Sequence, residues 1–429
     1  MMPIFEKKLT LNLNQLQRFK QNCYLRAAQQ PHACLLDSHG CQTPYTGTNF
    51  EFIYGEGIFK KASNQPQALD WENKLPILGY IGYDYKQQTL SVPSNNPPIW
   101  HGEESCFFEP LTALFIKENE LSFKSYVQDA WQDFEHFLAA DHSSFPEKQK
   151  NTATFTQDID AAHYIETVKK IKNDIREGLF YELNYCWPFQ IQMEKSLTGS
   201  DFYHLSQTSP SPFGAFLKLG ENHISCMSME RFFCKKGRKV YSQPIKGTIK
   251  RGHHPEEETA LKKQLLDSEK ERAENLMIVD LVRNDLAMIC DIGTVTVEEL
   301  FGIYPFAQVF QMISTVSGQL PQANFPTEKL LSALFPMGSM TGAPKRKAVE
   351  KIEDYENFKR GPYSGSIGYI MPNGDADFNV VIRSLLYNDQ QKNAAIPVGS
   401  AITYDAIPEE ELKECRLKIK ALLRFFDLA

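Results

Sequence analysis

The order in which strand-like and helix-like segments follow one another is the feature that most constrains the fold of this chain. Short aromatic and aliphatic runs separated by Pro, Gly and Asn dominate the beginning, and such runs predict β-strands. They include 33–37, 50–55, 78–85 and 112–116.

Later, one helix face is predicted from the recurrence of Tyr164, Val168, Ile171 and Ile175. Further helices are predicted over 268–285 and from Pro408, since proline is tolerated in a first helical turn. Strands and helices do not alternate regularly, so the sequence predicts an α+β fold rather than a doubly wound sheet.

A polar stretch at 141–160 is the weakest link along the chain. With 429 residues, 42% of them hydrophobic, the chain has material for two or three domains or for one large intertwined unit. We therefore divide the sequence into a β-rich N-terminal region, 1–150, and a second region, 151–429.

Charge and cysteine content exclude several classes of protein. The net charge of −7, without a basic stripe, argues against a nucleic-acid partner. No run approaches the ~18–20 apolar residues of a membrane span, and the N-terminus lacks the apolar core of a signal peptide. The nine cysteines never form a CxxC pair, which is typical of reduced thiols. We expect a cytoplasmic protein that does not enter a membrane.

Two predicted helices carry paired carboxylates at i, i+3 spacing, which places each pair on one helix face. The pairs are Glu271/Glu274 and Glu411/Glu414, and Lys418 falls on the same face as the second pair. One interpretation is a solvated face whose Glu–Lys pairs contribute a few tenths of a kcal/mol. The other is a cation site, because clustered carboxylates repel one another unless a cation lies between them. Oxygen ligands without His or Cys favour Mg²⁺. The apolar residues after Glu274 predict a largely buried helix.

Lys246 lies in a predicted tight turn, Pro244–Thr248, and is a candidate amine nucleophile. Keeping a free lysine neutral at pH 7 costs roughly 4 kcal/mol, and burial or a nearby cation lowers that cost. The alternative is a surface lysine in a turn. Glu230 has aromatic neighbours and is a candidate acid with a raised pKa; the alternative is a glutamate paired with a nearby arginine.

Three segments near the C-terminus are suited to binding anions. Residues 337–352 predict a Gly/Thr-rich turn before a helix, whose free N–H groups attract carboxylate or phosphate. Residues 398–405 predict a small-residue turn that a ligand can approach closely. Between them, a β-hairpin is predicted around Pro372–Gly374, with Arg383 on its second strand. The apolar context of Arg383 favours a carboxylate partner, with a structural ion pair as the alternative.

Several of these segments together resemble the chorismate-utilising enzymes, a family that includes anthranilate, isochorismate, salicylate and aminodeoxychorismate synthases. The likeness runs from about Phe155 to the C-terminus. It is carried by PIKGT (244–248), ERAENLMIVDLVRNDL (271–286), STVSGQL (314–320), PMGSMTGAPK (336–345), SGSIGY (364–369) and VVIRSL (380–385). The resemblance implies a two-lobed α+β sandwich of large antiparallel sheets, with helices outside and a pocket between the lobes.

The resemblance also implies roles for residues of the pocket. Mg²⁺ would bridge Glu274 and Glu414, with Glu271 and Glu411 beside it, and hold the ring carboxylate of chorismate. The backbone at Gly399–Ala401 and the Lys418 side chain would assist. Tyr369 and Arg383 would bind the enolpyruvyl carboxylate. Glu230 would be the general acid/base, and Gly247 and Thr248 would line the pocket beside the reacting atoms.

Lys246 implies the aminodeoxychorismate synthase component I branch, because anthranilate and isochorismate synthases usually have Ala there. The implied mechanism is attack of its amine at C2 of chorismate while Glu230 protonates the departing C4 hydroxyl. Ammonia then adds at C4, giving 4-amino-4-deoxychorismate for 4-aminobenzoate and folate synthesis. The sequence contains no Cys-His glutaminase domain, so a separate glutaminase subunit would supply the ammonia.

Some positions depart from the family pattern. Glu182 stands where amino-adding relatives usually have Gln and water-adding relatives have Lys. Gln311 stands where His is usual, and VGSAIT (398–403) is less glycine-rich than its counterparts. Two alternatives remain: anthranilate synthase component I, and a non-catalytic subunit that only binds chorismate.

Overall fold

Side chains that alternate along the strands reach two different hydrophobic cores, which explains why the strand sequences are apolar throughout. In the strand His32–Asp37, Ala33 and Leu35 enter one core and Cys34 enters the other. Successive side chains of a strand point to opposite faces, so a strand covered on both faces reads as one apolar run.

The computed structural model describes residues 3–41, 50–64, 72–139, 145–306 and 309–429. Its strands, numbered in chain order, form two sheets, and every pair of neighbouring strands in them is antiparallel. In spatial order the first sheet contains β1 (Phe5–Thr10), β8 (Glu120–Ser125), β7 (Thr112–Lys117), β3 (Phe52–Glu56), β2 (His32–Asp37), β11 (Phe213–Leu219), β12 (Asn222–Ser228), β21 (Ser384–Asn388), β22 (Asn393–Ile402), β10 (Glu182–Met193) and β18 (Gly342–Ala343), with β9 (Ala153–Gln157) paired to β10.

The second sheet contains, in spatial order, β15 (Ile245–Lys250), β17 (Val309–Gln319), β14 (Lys239–Gln243), β13 (Arg231–Lys236), β20 (Ala376–Asn379), β19 (Ser366–Ile370), β5 (Ile77–Ile81), β6 (Ser105–Glu109) and β4 (Lys60–Ser63), with β16 (Thr296–Pro305) paired to β17. Strands from before and after residue 150 are neighbours in both sheets. Part of the predicted linker, 141–144, lies outside the described residues, and the remainder contains β9.

The helices of the described residues are α1 (Leu13–Gln29), α2 (Lys86–Thr89), α3 (Ala130–Ala139), α4 (Ala161–Arg176), α5 (Gly199–Gln207), α6 (Pro255–Asp267), α7 (Glu269–Ala287), α8 (Thr327–Leu334), α9 (Lys345–Tyr355) and α10 (Pro408–Phe425). The α+β architecture predicted from the sequence is confirmed. None of these helices is long and apolar enough to cross a membrane.

One core lies between the two sheets and the other lies under the outer helices. The first joins Ile53 of β3 to Phe107 and Phe233 of the second sheet. The second packs the first sheet against α1, α4, α5 and α10. Helix α7 instead packs on β15 and β17 of the second sheet. Helices α7 and α10 are therefore supported by different sheets.

The predicted strand at 78–85 is only partly correct. It ends at Ile81, and Tyr83–Tyr85 form a helical turn. Tyr83 donates its N–H to the Gly361 carbonyl at 2.7 Å, and a Cβ at Gly82 would lie 2.9 Å from that same oxygen. Close approach of a distant segment, which only glycine permits, draws the chain out of the sheet.

Candidate active site

Lys246 lies at a bulge on an edge strand, not in the tight turn that the sequence predicts. Ile245 of β15 pairs with Ile313, and Thr248 pairs with Gln311, so β15 has one residue more than β17 over this interval. Gly247 has φ +95°, and a Cβ there would lie 3.1 Å from Glu271 Oε2. A bulge of this kind requires glycine and disrupts the ladder locally.

The bulge is tied to α7 by a buried asparagine. Asn275 Nδ2 donates to the Lys246 carbonyl at 3.3 Å, and Asn275 Oδ1 accepts from Ser314 Oγ at 2.6 Å. Sequence analysis missed Asn275. Its signal is its position four residues after Glu271, on the same helix face as the buried Ile278 and Val282.

The amine of Lys246 is largely shielded from solvent and lies against a carboxylate. Nζ donates to Glu182 Oε1 at 2.8 Å, and the two side chains are 13% and 1% exposed. Burial alone would lower the pKa of Lys246, but the charges of Glu182, Glu274 and Glu230 outweigh it and raise that pKa above its ordinary value. The surrounding carboxylates thus favour the protonated form of the amine, and its role as a nucleophile stays a prediction.

Glu230 occupies the connection between β12 and β13, where it is 6% exposed. Burial raises its pKa to about 7, although Ser339, the charge of Lys246 and the Ile245 backbone oppose the shift. The adjacent Arg231 pairs with Asp377 at 3.0 Å. A carboxylic acid that keeps its proton near neutral pH is suited to protonate a leaving group.

The α7 pair, Glu271 and Glu274, faces this lysine. Burial raises the pKa of Glu274 to about 7, with the charge of Lys246 opposing and that of Glu182 adding to the effect. The pKa of Glu271 is also raised, by burial and by the charges of Glu414 and Glu411. The helix is buried along one face only: Leu276 is 44% exposed, so the prediction of a largely buried helix is only partly correct.

The α10 pair has a different environment. Glu411 is 6% exposed and accepts a hydrogen bond from Ser400 Oγ, while burial raises its pKa. Glu414 lies 2.6 Å from Lys418 Nζ, and this lysine is the main cause of its lowered pKa. Lys418 Nζ also donates to the Gly399 carbonyl at 2.9 Å. The charges of Glu414 and Glu411 raise the pKa of Glu271, which indicates that the two acidic helix faces lie near each other.

The four carboxylates have the donor chemistry of a magnesium site without forming a closed ligand set. Across the described ranges, no three His, Cys, Asp or Glu side chains lie close enough to hold an ion by themselves. Mg²⁺ usually keeps several waters and takes other ligands from its substrate. The repulsion between Glu271 and the α10 pair is what a cation would relieve. The residues present therefore fit an ion that is only partly held by the protein.

Arg383 lies in the connection between β20 and β21, not on the second hairpin strand as predicted. The two strands of that hairpin, β19 and β20, are where the sequence places them, but β20 ends at Asn379. Arg383 has φ +51°, which strains a residue other than glycine, and its Nη1 donates to the Lys418 carbonyl at 2.7 Å. Burial lowers its pKa, and the nearby Tyr363 and the charge of Glu414 oppose this.

Tyr363, which acts on the pKa of Arg383, is a second residue that sequence analysis missed. Ser364 N–H donates to the Val381 carbonyl at 2.9 Å, which brings residue 363 alongside the segment before Arg383. Tyr369 lies on β19 and lines a different cavity, together with Asp37, Phe213 and Asn379. Tyr363 is therefore a tyrosine that acts on Arg383, and the assignment of Tyr369 stays a prediction. The sequence signal of Tyr363 is a lone aromatic residue in a Gly/Pro/Ser segment.

Gly399 and Ala401 lie on a strand, although a turn was predicted there. They pair with Cys186 and Asn184 of β10 in a ten-residue ladder, which keeps the segment extended despite its small side chains. A Cβ at Gly399 would lie 2.9 Å from Asn184 Nδ2. Close packing between strands therefore accounts for this glycine.

Thr248 and Gln311 are cross-strand partners with opposite exposure. Thr248 is exposed, whereas Gln311 is 3% exposed and donates from Nε2 to Met229 Sδ at 3.2 Å. Gln311 therefore lies beside the residue that precedes Glu230.

Known proteins resemble this chain over most of its length. A family model described as chorismate binding enzyme matches residues 17–424. Anthranilate synthase component 1 from Acetivibrio thermocellus is 36% identical over 418 residues, covering 92% of this chain and 83% of that protein. Aminodeoxychorismate synthase component 1 from Bacillus subtilis is 36% identical over 280 residues, covering 65% of this chain and 57% of that protein. The chloroplastic aminodeoxychorismate synthase of Arabidopsis thaliana is 34% identical over 370 residues, which cover 80% of this chain but only 39% of the Arabidopsis protein.

Solved structures share the fold. Anthranilate synthase component I from Streptococcus pneumoniae superposes with a TM-score of 0.76 at 23% identity, covering 89% of this chain and 94% of that one. The menaquinone-specific isochorismate synthase MenF from Escherichia coli gives 0.76 at 16% identity, covering 100% of this chain and 95% of that one. Because the family model spans nearly the whole sequence, the chain belongs to the chorismate binding enzymes and is a chorismate-utilising enzyme.

Proposed function

We propose that this protein is the chorismate-aminating component of an aminodeoxychorismate synthase. It would convert chorismate and ammonia into 4-amino-4-deoxychorismate and water. The observation that carries the proposal is the buried amine of Lys246, 2.8 Å from Glu182 and within electrostatic reach of Glu230 and Glu274. An enzyme that only eliminates or hydrates has no need of an amine at this position.

The first step uses Lys246 and Glu230. Once it has lost its proton, Nζ forms a bond to C2 of chorismate. The ring double bonds shift, the C4–O bond breaks, and the hydroxyl leaves as water with the proton of Glu230. The pKa of Glu230, raised to about 7 by burial, keeps that proton available near neutral pH.

The second step reverses the first with nitrogen in place of oxygen. Ammonia forms a bond to C4, the double bonds shift back, and the C2–N bond breaks so that Lys246 leaves as a neutral amine. Glu230 regains a proton from the new C4 ammonium group. The net change replaces the C4 hydroxyl with an amino group, and the enzyme returns to its starting state.

Substrate carboxylates would be bound at two places. Arg383 reaches from the β20–β21 connection to the Lys418 carbonyl and would take the enolpyruvyl carboxylate, with Tyr363 beside it. Glu274 and Glu414 would hold Mg²⁺, with Glu271 and Glu411 nearby. When bound, the ion supplies positive charge for the ring carboxylate. Lys418 keeps Glu414 and the Gly399 backbone in place on that side.

The ammonia would come from a separate glutaminase subunit. The name of the Bacillus subtilis relative describes it as one component of a synthase, and we extend that arrangement to this chain. Free ammonium salts at alkaline pH would replace the partner in a test of the isolated chain.

Anthranilate synthase component I is the second candidate. It is favoured by the Acetivibrio thermocellus relative, whose match covers 92% of this chain. A reaction that releases pyruvate to form anthranilate requires no covalent amine at C2, so Lys246 separates the two proposals. A non-catalytic binding subunit would leave both Lys246 and the protonated Glu230 without a role.

Product identification tests the proposal. The purified chain is incubated with chorismate, Mg²⁺ and an ammonium salt at pH 8.5, and the products are identified by mass spectrometry. We expect 4-amino-4-deoxychorismate. Anthranilate with pyruvate, isochorismate, or unchanged chorismate would each contradict it.

A further inference from the structure

The partner of Lys246 is unusual in how it is buried. Glu182 is the first residue of β10, and its side chain is 1% exposed. Lys246 lies on the edge strand of the other sheet. Glu182 Oε1 accepts the hydrogen bond from Nζ, and Glu182 Oε2 is buried without a hydrogen-bond partner among the described residues. A buried carboxylate oxygen without a donor is costly, so its retention calls for an explanation.

Lys246 cannot act as a nucleophile while it carries its proton. Releasing a lysine proton to water at pH 7 costs roughly 4 kcal/mol even without surrounding carboxylates. The charged groups that act on Lys246, or on which its charge acts, are Glu182, Glu230, Glu271, Glu274 and Glu414. Among the described residues, Glu182 is the one of these carboxylates that accepts a hydrogen bond from Nζ. Glu230 must keep its own proton for the leaving group.

We infer that Glu182 is the positioning residue of Lys246 and the local acceptor of its proton. One carboxylate oxygen fixes Nζ at 2.8 Å. As the amine attacks, the proton moves from Nζ to the Glu182 carboxylate, and the nitrogen lone pair forms the bond to C2. When the amine departs, the same proton returns to it and restores the ion pair. No other proton donor or acceptor is needed for this part of the cycle.

This inference rests on the proposed function, because it assigns a role only if Lys246 forms a covalent adduct. The role assigned to Glu182 predicts that a glutamine at the same position slows the attack of Lys246. Amino-adding relatives usually have Gln here and must release the lysine proton by another route; in this chain a glutamine could still accept a hydrogen bond from Nζ, but it could not take the proton. The amine would then have to lose its proton to solvent before reacting.

The experiment measures adduct formation in a single turnover. Full-length wild-type chain, Glu182→Gln and Glu182→Asp are mixed with chorismate and Mg²⁺ without ammonium, from pH 6.5 to 9.5. The covalent adduct is quantified by intact-protein mass spectrometry. Glu103→Gln is the matched control, since Glu103 pairs with Lys61 at 2.9 Å near the opposite edge of the same sheet as Lys246. Melting curves establish that each variant folds.

The ratio of variant rate to wild-type rate is the decisive quantity, because groups shared by both proteins, such as Glu230, cancel in it. For Glu182→Gln we expect a ratio below about 0.01 at pH 7 that rises with pH, since general-base contributions are typically 10²–10⁴-fold. Glu182→Asp keeps the acceptor, so its ratio should be lower than one but independent of pH. Glu103→Gln should give a ratio near one throughout.

The outcomes separate the two proposals. If the wild-type chain forms no adduct on Lys246, the proposed function fails. If it does, and the Glu182→Gln ratio does not change with pH, whatever its size, the role assigned to Glu182 is wrong. Should Glu182→Gln fail to fold, a Glu182→Asp ratio that rises with pH would equally contradict the inference.

Discussion

Helices α7 and α10 carry the same i, i+3 pair of glutamates, yet the pKa of the second glutamate is shifted in opposite directions on the two helices. Burial raises the pKa of Glu274 on α7 to about 7, and its nearest lysine, Lys270, is 3.9 Å away and half exposed. On α10, Lys418 approaches Glu414 to 2.6 Å and lowers its pKa. Equal spacing in the sequence therefore does not produce equal electrostatics.

The difference arises from what each helix faces. The polar face of α7 lies against the β15 bulge, whose Lys246 is already paired with Glu182. Helix α10 supplies its own lysine one turn further along. The α7 pair is thus the one that a cation or a substrate would stabilise most, and the α10 pair is partly compensated in advance.

Removal of the Lys246 amine, which lies near both helices, should have the largest effect on activity. In Lys246→Ala we expect no covalent adduct and a fall in ammonia-dependent turnover of about 10³-fold or more, as for loss of other nucleophiles. Initial rates and intact mass measure both quantities. Lys61→Ala, at the far edge of the sheet, is the control. Full turnover in Lys246→Ala would exclude the covalent route.

Glu274→Gln and Glu414→Gln test whether the two pairs serve one ion. We expect each substitution to raise the Mg²⁺ concentration for half-maximal activity by at least about 10–100-fold, the range for disturbed metal sites. Titration of activity with Mg²⁺ gives this number. Glu410→Gln, which removes an exposed charge beside the α10 pair, should change it little. An unchanged Mg²⁺ requirement in Glu414→Gln would restrict the site to α7.

Glu230→Gln tests whether burial of a carboxylate is as costly here as the raised pKa indicates. The folded chain binds this proton more tightly than the unfolded chain, so stability falls as pH rises from about 4.5 to about 7. Above pH 7 the full cost, on the order of 3 kcal/mol, is present. The variant should therefore be inactive but more stable than wild type at pH 8, and equal to it at pH 4.

Melting or denaturant curves at the two pH values measure that difference. Glu414→Gln should not gain stability at pH 8, because the pKa of Glu414 is lowered rather than raised. A Glu230→Gln variant less stable than wild type at pH 8 would show that the carboxylate is compensated in the folded chain.

Lys418→Met should have the smallest effect and should make α10 resemble α7. Its pairs with Glu414 and the Gly399 carbonyl are partly exposed, so their loss should change stability by less than about 1 kcal/mol. We expect KM for chorismate to rise about three- to tenfold with little change in kcat. A large loss of kcat would instead place Lys418 among the groups that act in the transition state.

Local sequence was enough to predict the features that depend on neighbouring residues. Helix α10 begins at Pro408 as predicted, and α7 begins within one residue of the predicted start. Each pair of glutamates, Glu271/Glu274 and Glu411/Glu414, therefore lies on one face of a helix, as the spacing predicts. The hairpin around Pro372–Gly374 also follows from local turn chemistry.

Local sequence could not predict the features that depend on distant segments of the chain. The bulge at Lys246 is set by the register of β15 on β17, more than sixty residues away in sequence. The charge of Lys246 depends on Glu182, sixty-four residues before it. The left-handed backbone of Arg383 and its neighbour Tyr363 follow from pairing between two loops. Periodicity within one segment carries no information about any of these.

Peptide mapping after a single turnover shows whether chorismate becomes attached to Lys246. Wild-type chain is mixed with chorismate and Mg²⁺, quenched within seconds and digested, and the modified peptide is sequenced by mass spectrometry. We expect the peptide containing Lys246 to gain the mass of chorismate minus water and to lose it when ammonium is added. Formation of 4-amino-4-deoxychorismate while that peptide stays unmodified, or is modified at another residue, would contradict it.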